Sequence, residues 1–241
     1  MRRFHGGGPP DRRGYHHGNL KEAMIEAARR FIAERGLGGF TLVDAARLVG
    51  VTPAALYRHF SGRDALVGEV AERGFAQLAQ RLRRAMQGSG TPLERFTRMG
   101  EAYLAFAEEE PGFYAAMFAP RGAEQEAEEP WSSEGPPGAR PWGDVREAPR
   151  AGPWGPPPGP EAGAAPPAFG LLLEALTAAF PDGFGVDPRF VALEVWALSH
   201  GIATLDAAGQ LPKGPGVPNK YELLRAGVGA IVLGASLSRP K

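Results

Sequence analysis

The chain is predicted to be all-α, with a helix-turn-helix inside a three-helix N-terminal head and a helical bundle behind it. Three observations carry this. Apolar residues recur at helical spacing through most of the 241 residues, and no segment alternates as a strand would. Capping residues and Pro stand where the apolar stripes begin, and Gly or Pro-Gly stands where several of them end. The segment Phe40–Phe60, F-T-L-V-D-A-A-R-L-V-G-V-T-P-A-A-L-Y-R-H-F, meets several independent requirements of a helix-turn-helix at fixed offsets.

Residues 1–17 are rich in Gly, Pro, Arg and His and are read as a flexible basic arm. Asn19 is the expected cap of a first helix carrying Leu20, Met24, Ala27, Ala28, Phe31 and Ile32, stopped by Gly36. Thr41 caps a second helix to Leu48, and Gly50 breaks it. Thr52 caps a third, with Pro53 in its first turn, where a missing N–H costs nothing. Ser61 or Gly62 opens a fourth, from Arg63 to about Met86. Thr91-Pro92 starts a fifth with Leu93, Phe96, Met99, Tyr103 and Phe106 on one stripe, Pro111-Gly112 ends it, and a short aromatic helix follows at Phe113–Phe118.

Residues 121–168 differ in kind: 12 Pro and 8 Gly among 48 residues deny regular structure, so a long disordered insertion is expected. It holds Trp131, Trp142 and Trp154, which leaves a docking segment over the body as the alternative. Helices resume at Ala168–Phe180, then from Asp187-Pro188 to about Ala208, then from Asn219 to about Leu237. The domain division is an arm over 1–17, a head over 18–65 and a body over 66–241.

The formal net charge of zero conceals an asymmetry. Residues 1–63 hold 11 Lys/Arg and 5 Asp/Glu, a net of +6, and the remainder carries −6. Four of the five His also lie in the first 63 residues. A basic head on an acidic body suits a polyanion partner for the head. The absence of Cys excludes disulfides, zinc fingers, iron–sulfur ligation and thiol catalysis. No apolar stretch follows the basic start, and the longest apolar runs are too short for a bilayer, so the expectation is a cytoplasmic protein without membrane contact. Neither a cofactor nor a metal is expected.

In Phe40–Phe60 the small Ala46 sits where two helices touch, Gly50 supplies the turn four residues later, and Leu56 plugs the core six beyond that. With Leu56 inward, Thr52, Pro53, Ala54 and Ala55 face the major groove with short contacts suited to thymine methyls. Tyr57, Arg58 and His59 can reach phosphates or base edges. Thr41 at a helix N-terminus, Arg63, and Arg12 and Arg13 of the arm are further phosphate-contact candidates.

These residues resemble the DNA-binding domain of TetR-family regulators. The match runs through Ala27-Ala28, Phe31-Ile32, Glu34-Arg35-Gly36, Thr41, Ala46, Gly50-Val51-Thr52, Leu56-Tyr57-Arg58-His59-Phe60 and Ala65-Leu66. Y-H-H-G-N-L near the start, P-G-F-Y-A-A-M-F and W-A-L-S-H-G (Trp196 to Gly201) resemble the subgroup with a W-x-x-x-H-G motif in its C-terminal domain. Ala45, Val49 and Val43 depart from the pattern; the first two exchange volume across one interface. The resemblance implies a homodimer through the last two long helices, where Ala226, Gly227, Gly229, Ala230 and Gly234 permit close approach and Ile231 and Leu233 add apolar area. It further implies recognition of a pseudo-palindromic double-stranded operator, repression by occlusion, and release by a small-molecule effector.

Tyr103, Phe106, Phe113, Tyr114, Met117 and Phe118 form an aromatic, methionine-bearing group that reads as core from its spacing and as a ligand pocket from the resemblance. Trp196 and His200 share a helix face at i and i+4. His200 is either bonded to a neighbouring carbonyl at a helix contact or a polar anchor near a ligand. Asp206 is read as solvent-facing or near a helix end, and Glu108-Glu109-Glu110 is read as solvated charge. The chain lacks a G-x-S-x-G elbow, a P-loop, a dinucleotide fingerprint and a metal-spaced His cluster, so an enzyme is not expected. The remaining rival is a DNA-binding protein of the same fold that answers to a protein or organises DNA.

Overall fold

In a computed structural model, residues 17–119 and 167–237 are described. The arm with Arg12 and Arg13, and the insertion with its three Trp, lie outside them but for His17, the last arm position, which opens the first helix, and the last two positions of 121–168. Among the described residues the chain forms nine α-helices and one 3₁₀ turn, and no strand. They are α1 His17–Arg35, α2 Leu42–Val49, α3 Pro53–Leu56, α4 Arg63–Gln87, α5 Pro92–Glu109, α6 Pro111–Met117, α7 Pro167–Ala179, α8 Pro188–Ala207 and α9 Lys220–Leu237.

Boundaries follow local chemistry. Thr41 accepts from the Asp44 backbone N–H while the Asp44 carboxylate accepts from the Thr41 N–H, a reciprocal capping box at the start of α2. Gly50 closes that helix at φ 75°, where Val51 N–H reaches the Ala46 carbonyl at 3.0 Å. A second capping box, Thr91 with Glu94, opens α5. Asn219 Oδ1 accepts from the N–H groups of Tyr221 and Glu222 at the head of α9. Two expectations shift. α1 begins two residues ahead of Asn19, and Pro111 does not merely end α5: it is the first residue of α6, at a position that needs no N–H.

The head closes around Met24, Ile25, Ala28, Phe31 and Ile32 of α1, Phe40, Ala45 and Ala46 of α2 and its approach, Leu56 and Phe60. Ala46 and Leu56 are buried, as the helix-turn-helix spacing requires. Phe31 and Phe40 stack with centroids 5.3 Å apart. No linker divides head from body: the expected boundary at 65 falls inside α4, and one apolar cluster runs from Met24 through Leu66, Val70, Leu78 and Leu82 into the bundle.

α6 is wedged between α1 and α4 at two glycines. A Cβ on Gly112 would collide with the Arg29 carbonyl oxygen, and one on Gly74 would meet Met117 Sδ at 2.7 Å. Ion pairs cross the same seam: Arg29 with Glu110 at 3.2 Å, and Arg81 with both Glu109 and Glu110. Glu108 pairs with Lys220 at 2.7 Å, and Lys220 also holds Asp206 at 2.8 Å. Glu108 and Glu109 are exposed, as their solvated reading expects, and Asp206 stands near the end of α8; folding adds the inter-helix cations that pair with them. Gly112→Ala is expected to lower stability by about 2–4 kcal/mol, since backbone must move to relieve the clash. Gly68→Ala in α4, where a Cβ meets nothing within 4 Å, is expected to raise it by up to about 1 kcal/mol. Urea denaturation of the two variants checks both.

Candidate nucleic-acid interface and ligand cavity

The residues expected to meet DNA stand on the short helix α3 and the turn after it. Leu56 is fully buried and fixes the rotation of that helix. Its exposed neighbours follow: Thr52, Ala54, Tyr57, Arg58 and His59 are exposed, with Tyr57 at 63%, and Ala55 is half-buried. An exposed tyrosine beside an exposed arginine and histidine presents donors and a cation outward, at no cost to the core. Pro53 opens α3. Thr41 is exposed, but its hydroxyl is engaged with Asp44, so its first duty is to cap.

Arg63 departs from the phosphate-contact expectation. Its Nε donates to the Phe40 carbonyl at 3.0 Å and one terminal nitrogen donates to the Leu37 carbonyl at 2.9 Å, while the other pairs with Asp64. The guanidinium staples the α1–α2 connection to the start of α4, because a five-donor fork suits two converging carbonyls. Removing it takes a donor from each, and only the Leu37 carbonyl keeps a backbone partner, the Phe40 N–H at 3.3 Å. Arg63→Ala is expected to destabilise the fold by about 1–3 kcal/mol, whereas Arg58→Ala leaves the melting temperature unchanged; thermal denaturation separates them.

In the body, a cavity of about 350 Å³ lies between α4, α5, α7, α8 and α9. Of the eight residues expected at a pocket, Tyr103 and Trp196 line it; Phe106, Phe113, Tyr114, Met117, Phe118 and His200 do not. Phe106 is fully buried with the Arg81 guanidinium over its ring, and Met117 fills the gap at Gly74. Periodicity groups residues on one helix but does not say which neighbour covers them, and α5 and α6 turn these two toward α4. The walls that sequence reasoning missed are Leu82, Phe96, Met99 and Phe169, with Leu172, Phe180, Leu224 and Val228. The α5 stripe already signalled Phe96 and Met99; the α7 and α9 residues carried no signal of their own.

Tyr114, Phe118 and His200 form a cluster behind the Tyr103 wall. The Tyr114 hydroxyl lies 2.8 Å from His200 Nδ1, Tyr103 Oη is 3.4 Å from the same nitrogen, and Phe118 stacks on the imidazole at 4.2 Å. His200 thus bonds neighbouring hydroxyls rather than a lone carbonyl. Burial pushes its pKa below the usual histidine value, and burial pushes both tyrosine hydroxyls up. All three groups are neutral near pH 7.

A helix-turn-helix with an outward recognition face, joined without a linker to a cavity-bearing helical bundle, defines a class of DNA-binding transcriptional regulators. The family models agree. One described as "Bacterial regulatory proteins, tetR family" matches residues 24–70, and one described as "Tetracyclin repressor-like, C-terminal domain" matches residues 96–231. The chain belongs to the TetR family of bacterial regulatory proteins. It is 28% identical over 102 residues to the uncharacterized HTH-type transcriptional regulator YobS of Bacillus subtilis, covering 41% of this chain and 51% of that protein. It is 31% identical over 100 residues to the nucleoid occlusion factor SlmA of Vibrio vulnificus, with the same coverage. The matches thus span about half the length of these curated relatives. Among solved structures, a protein of unknown function from Rhodococcus sp. RHA1 aligns with TM-score 0.62 and 28% identity, covering 92% of this chain and 98% of that one. The TetR family transcriptional regulator PfmR of Thermus thermophilus aligns with TM-score 0.53 at 17% identity over 87% and 97%, a likeness of fold. Among the described residues no group of His, Cys, Asp and Glu could hold a metal, and no helix is long and apolar enough to cross a membrane.

The lowered pKa of His200 sets a pH dependence. The unfolded chain binds more protons than the folded one between the two pKa values, so stability rises with pH there. The contribution is complete above the unfolded value of ~6.5 and is lost as pH falls toward the lower, folded one. Urea midpoints measured from neutral pH down through that range are expected to fall, and to fall less in His200→Gln.

Proposed function

We propose that the protein is a repressor that occupies a pseudo-palindromic DNA site as a homodimer and leaves it when a small molecule fills the cavity. One observation carries this: the cavity is walled by α4 through Leu82 and by α8 and α9 through Val195, Trp196, Leu224 and Val228. α4 starts in the head, so a ligand touching it and the C-terminal helices together acts on the placement of the head. Release requires only that the ligand bind two placements unequally.

Dimerisation is supported by the outer face of the last two helices. Phe190, 66% exposed, and Leu193 stand on α8, and Leu233, 61% exposed, and Leu237 stand on α9. Ala226, Gly229, Ala230 and Gly234 are exposed between them. Such an apolar face on a water-soluble helix pair signals a buried contact. Gly227 and Ile231 leave that set: Gly227 faces Leu198 of its own chain, at 2.6 Å from where a Cβ would stand, and Ile231 packs on the core. In this reading Tyr57, Arg58 and His59, with Thr52, Pro53, Ala54 and Ala55, meet the major groove, and Arg12 and Arg13 add phosphate contacts. In the same reading Trp196, His200 and Gly201 support membership of the W-x-x-x-H-G subgroup, and action on a DNA operator implies the cytoplasm.

A second reading follows the likeness to SlmA: a DNA-binding protein of this family with an architectural or protein-responsive role and no small-molecule effector. Selection of duplexes from a random library by the full-length protein at physiological salt decides between them. Enrichment of an inverted repeat, with half-sites about one helical turn apart, is expected. Salt-sensitive binding without enrichment counts against it. Arg58→Ala is expected to weaken binding to the enriched duplex by at least about tenfold while the protein stays dimeric, and Phe190→Glu to yield monomers in analytical ultracentrifugation.

A further inference from the structure

The cavity wall is almost wholly hydrocarbon, supplied chiefly by Phe96, Met99, Phe169, Leu172, Phe180 and Val228. Five polar side chains border it, and each is already engaged within the chain, the Trp196 indole N–H with the Tyr103 hydroxyl. Thr97 Oγ1 donates to the Leu93 carbonyl at 3.0 Å, and Ser199 Oγ donates to the Val195 carbonyl at 2.7 Å. The Tyr103 hydroxyl sits with Tyr114 and His200. Arg225, the one cation on the lining, donates to Glu101 Oε1 at 2.9 Å and is half exposed. Among the described residues no buried side-chain nitrogen or oxygen lacks a partner.

A charged or polyhydroxylated molecule entering this space would shed its hydration and find no unpaired protein group to replace it. A carboxylate at the rim would have to compete with Glu101 for Arg225. We infer that the cavity takes a neutral, predominantly hydrocarbon molecule, of two or three rings or a chain of similar volume, and that Arg225 and Glu101 neutralise each other at its rim and do not hold an anion. The volume of about 350 Å³ falls at the small end of small-molecule sites. Contact with Phe169 and Trp196, whose rings lie 5.5 Å apart, offers aromatic faces on one side. This inference rests on the reading of the cavity as the effector site.

The test uses the full-length protein and the neutral fluorophore N-phenyl-1-naphthylamine, displaced in parallel by 1-decanol and by decanoate. The fluorophore brightens on binding, and 1-decanol displaces it at a concentration at least about tenfold lower than decanoate. Arg225→Gln leaves the 1-decanol midpoint within about twofold, since no ligand charge meets that side chain. Leu172→Trp fills the cavity from a half-buried position and abolishes the brightening at an unchanged melting temperature; Val228→Phe serves as an independent filler should the first variant unfold. Decanoate equal to or better than 1-decanol, with that advantage lost in Arg225→Gln, overturns the inference in favour of an anion site. Brightening that survives both fillers, or none in the parent protein, overturns it as well. The selected duplex keeps the two claims apart. If 1-decanol binds with the expected selectivity and DNA stays bound, the effector reading fails and the ligand class stands. If only anionic or polar compounds release DNA through the cavity, the ligand class fails and the effector reading stands.

Discussion

The close approach of α6 to α1 and α4 is the contact on which the rest of the structure depends. Two glycines make it possible, since Gly112 lies under the Arg29 carbonyl and Gly74 lies against Met117. Backbone-to-backbone proximity of this kind excludes water and leaves little freedom for relative movement, because interiors at crystal-like density resist small displacements. The charged residues at the seam, Arg29, Arg81, Glu109 and Glu110, surround that contact and hold it in register. The other face of α6 carries Tyr114 to His200 on α8. A seven-residue helix therefore touches the head on one side and the polar edge of the body on the other.

The head depends on a similar economy of parts. α3 spans four residues and cannot hold itself by its own hydrogen bonds, so its rotation is set from outside, by Leu56 in the core and Gly50 in the turn. Arg63 ties the incoming connection to α4 through two carbonyls, which leaves Tyr57, Arg58 and His59 to project without a structural duty. The separation is physically sensible: the polar groups proposed to meet DNA stay solvated, and the cation that maintains the fold is turned inward.

Much of this was legible from the residues alone. The capping at Thr41, Thr91 and Asn219, the αL stop at Gly50, the burial of Ala46 and Leu56, and the order of the helices all follow from interactions within a few positions of one another. The wedge was not legible. Gly112 looked like part of a stop signal because Pro-Gly ends many helices, yet here Pro111 begins one, and the glycine is needed for a neighbour 83 positions away in sequence. The ion pairs of Glu108–Glu110 were not legible because the partners, Arg29, Arg81 and Lys220, are distant in the chain. For the cavity, Tyr103 and Trp196 were found and Phe106 and Met117 were not separated from them, since a helical stripe has the same pattern whether it faces a neighbour or a void.

The sequence by itself determined the helical class, the head with its turn, the exposed face of α3 and the family, because each rests on short-range periodicity, capping and fixed spacing. The tertiary structure alone decided that Arg63 faces carbonyls, that Gly227 belongs to the packing of its own chain, that His200 bonds two tyrosine hydroxyls, and where the cavity opens among five helices. Those outcomes depend on which surfaces meet, and the meeting of surfaces far apart in the chain is set by the sum of many weak contacts that no local pattern records.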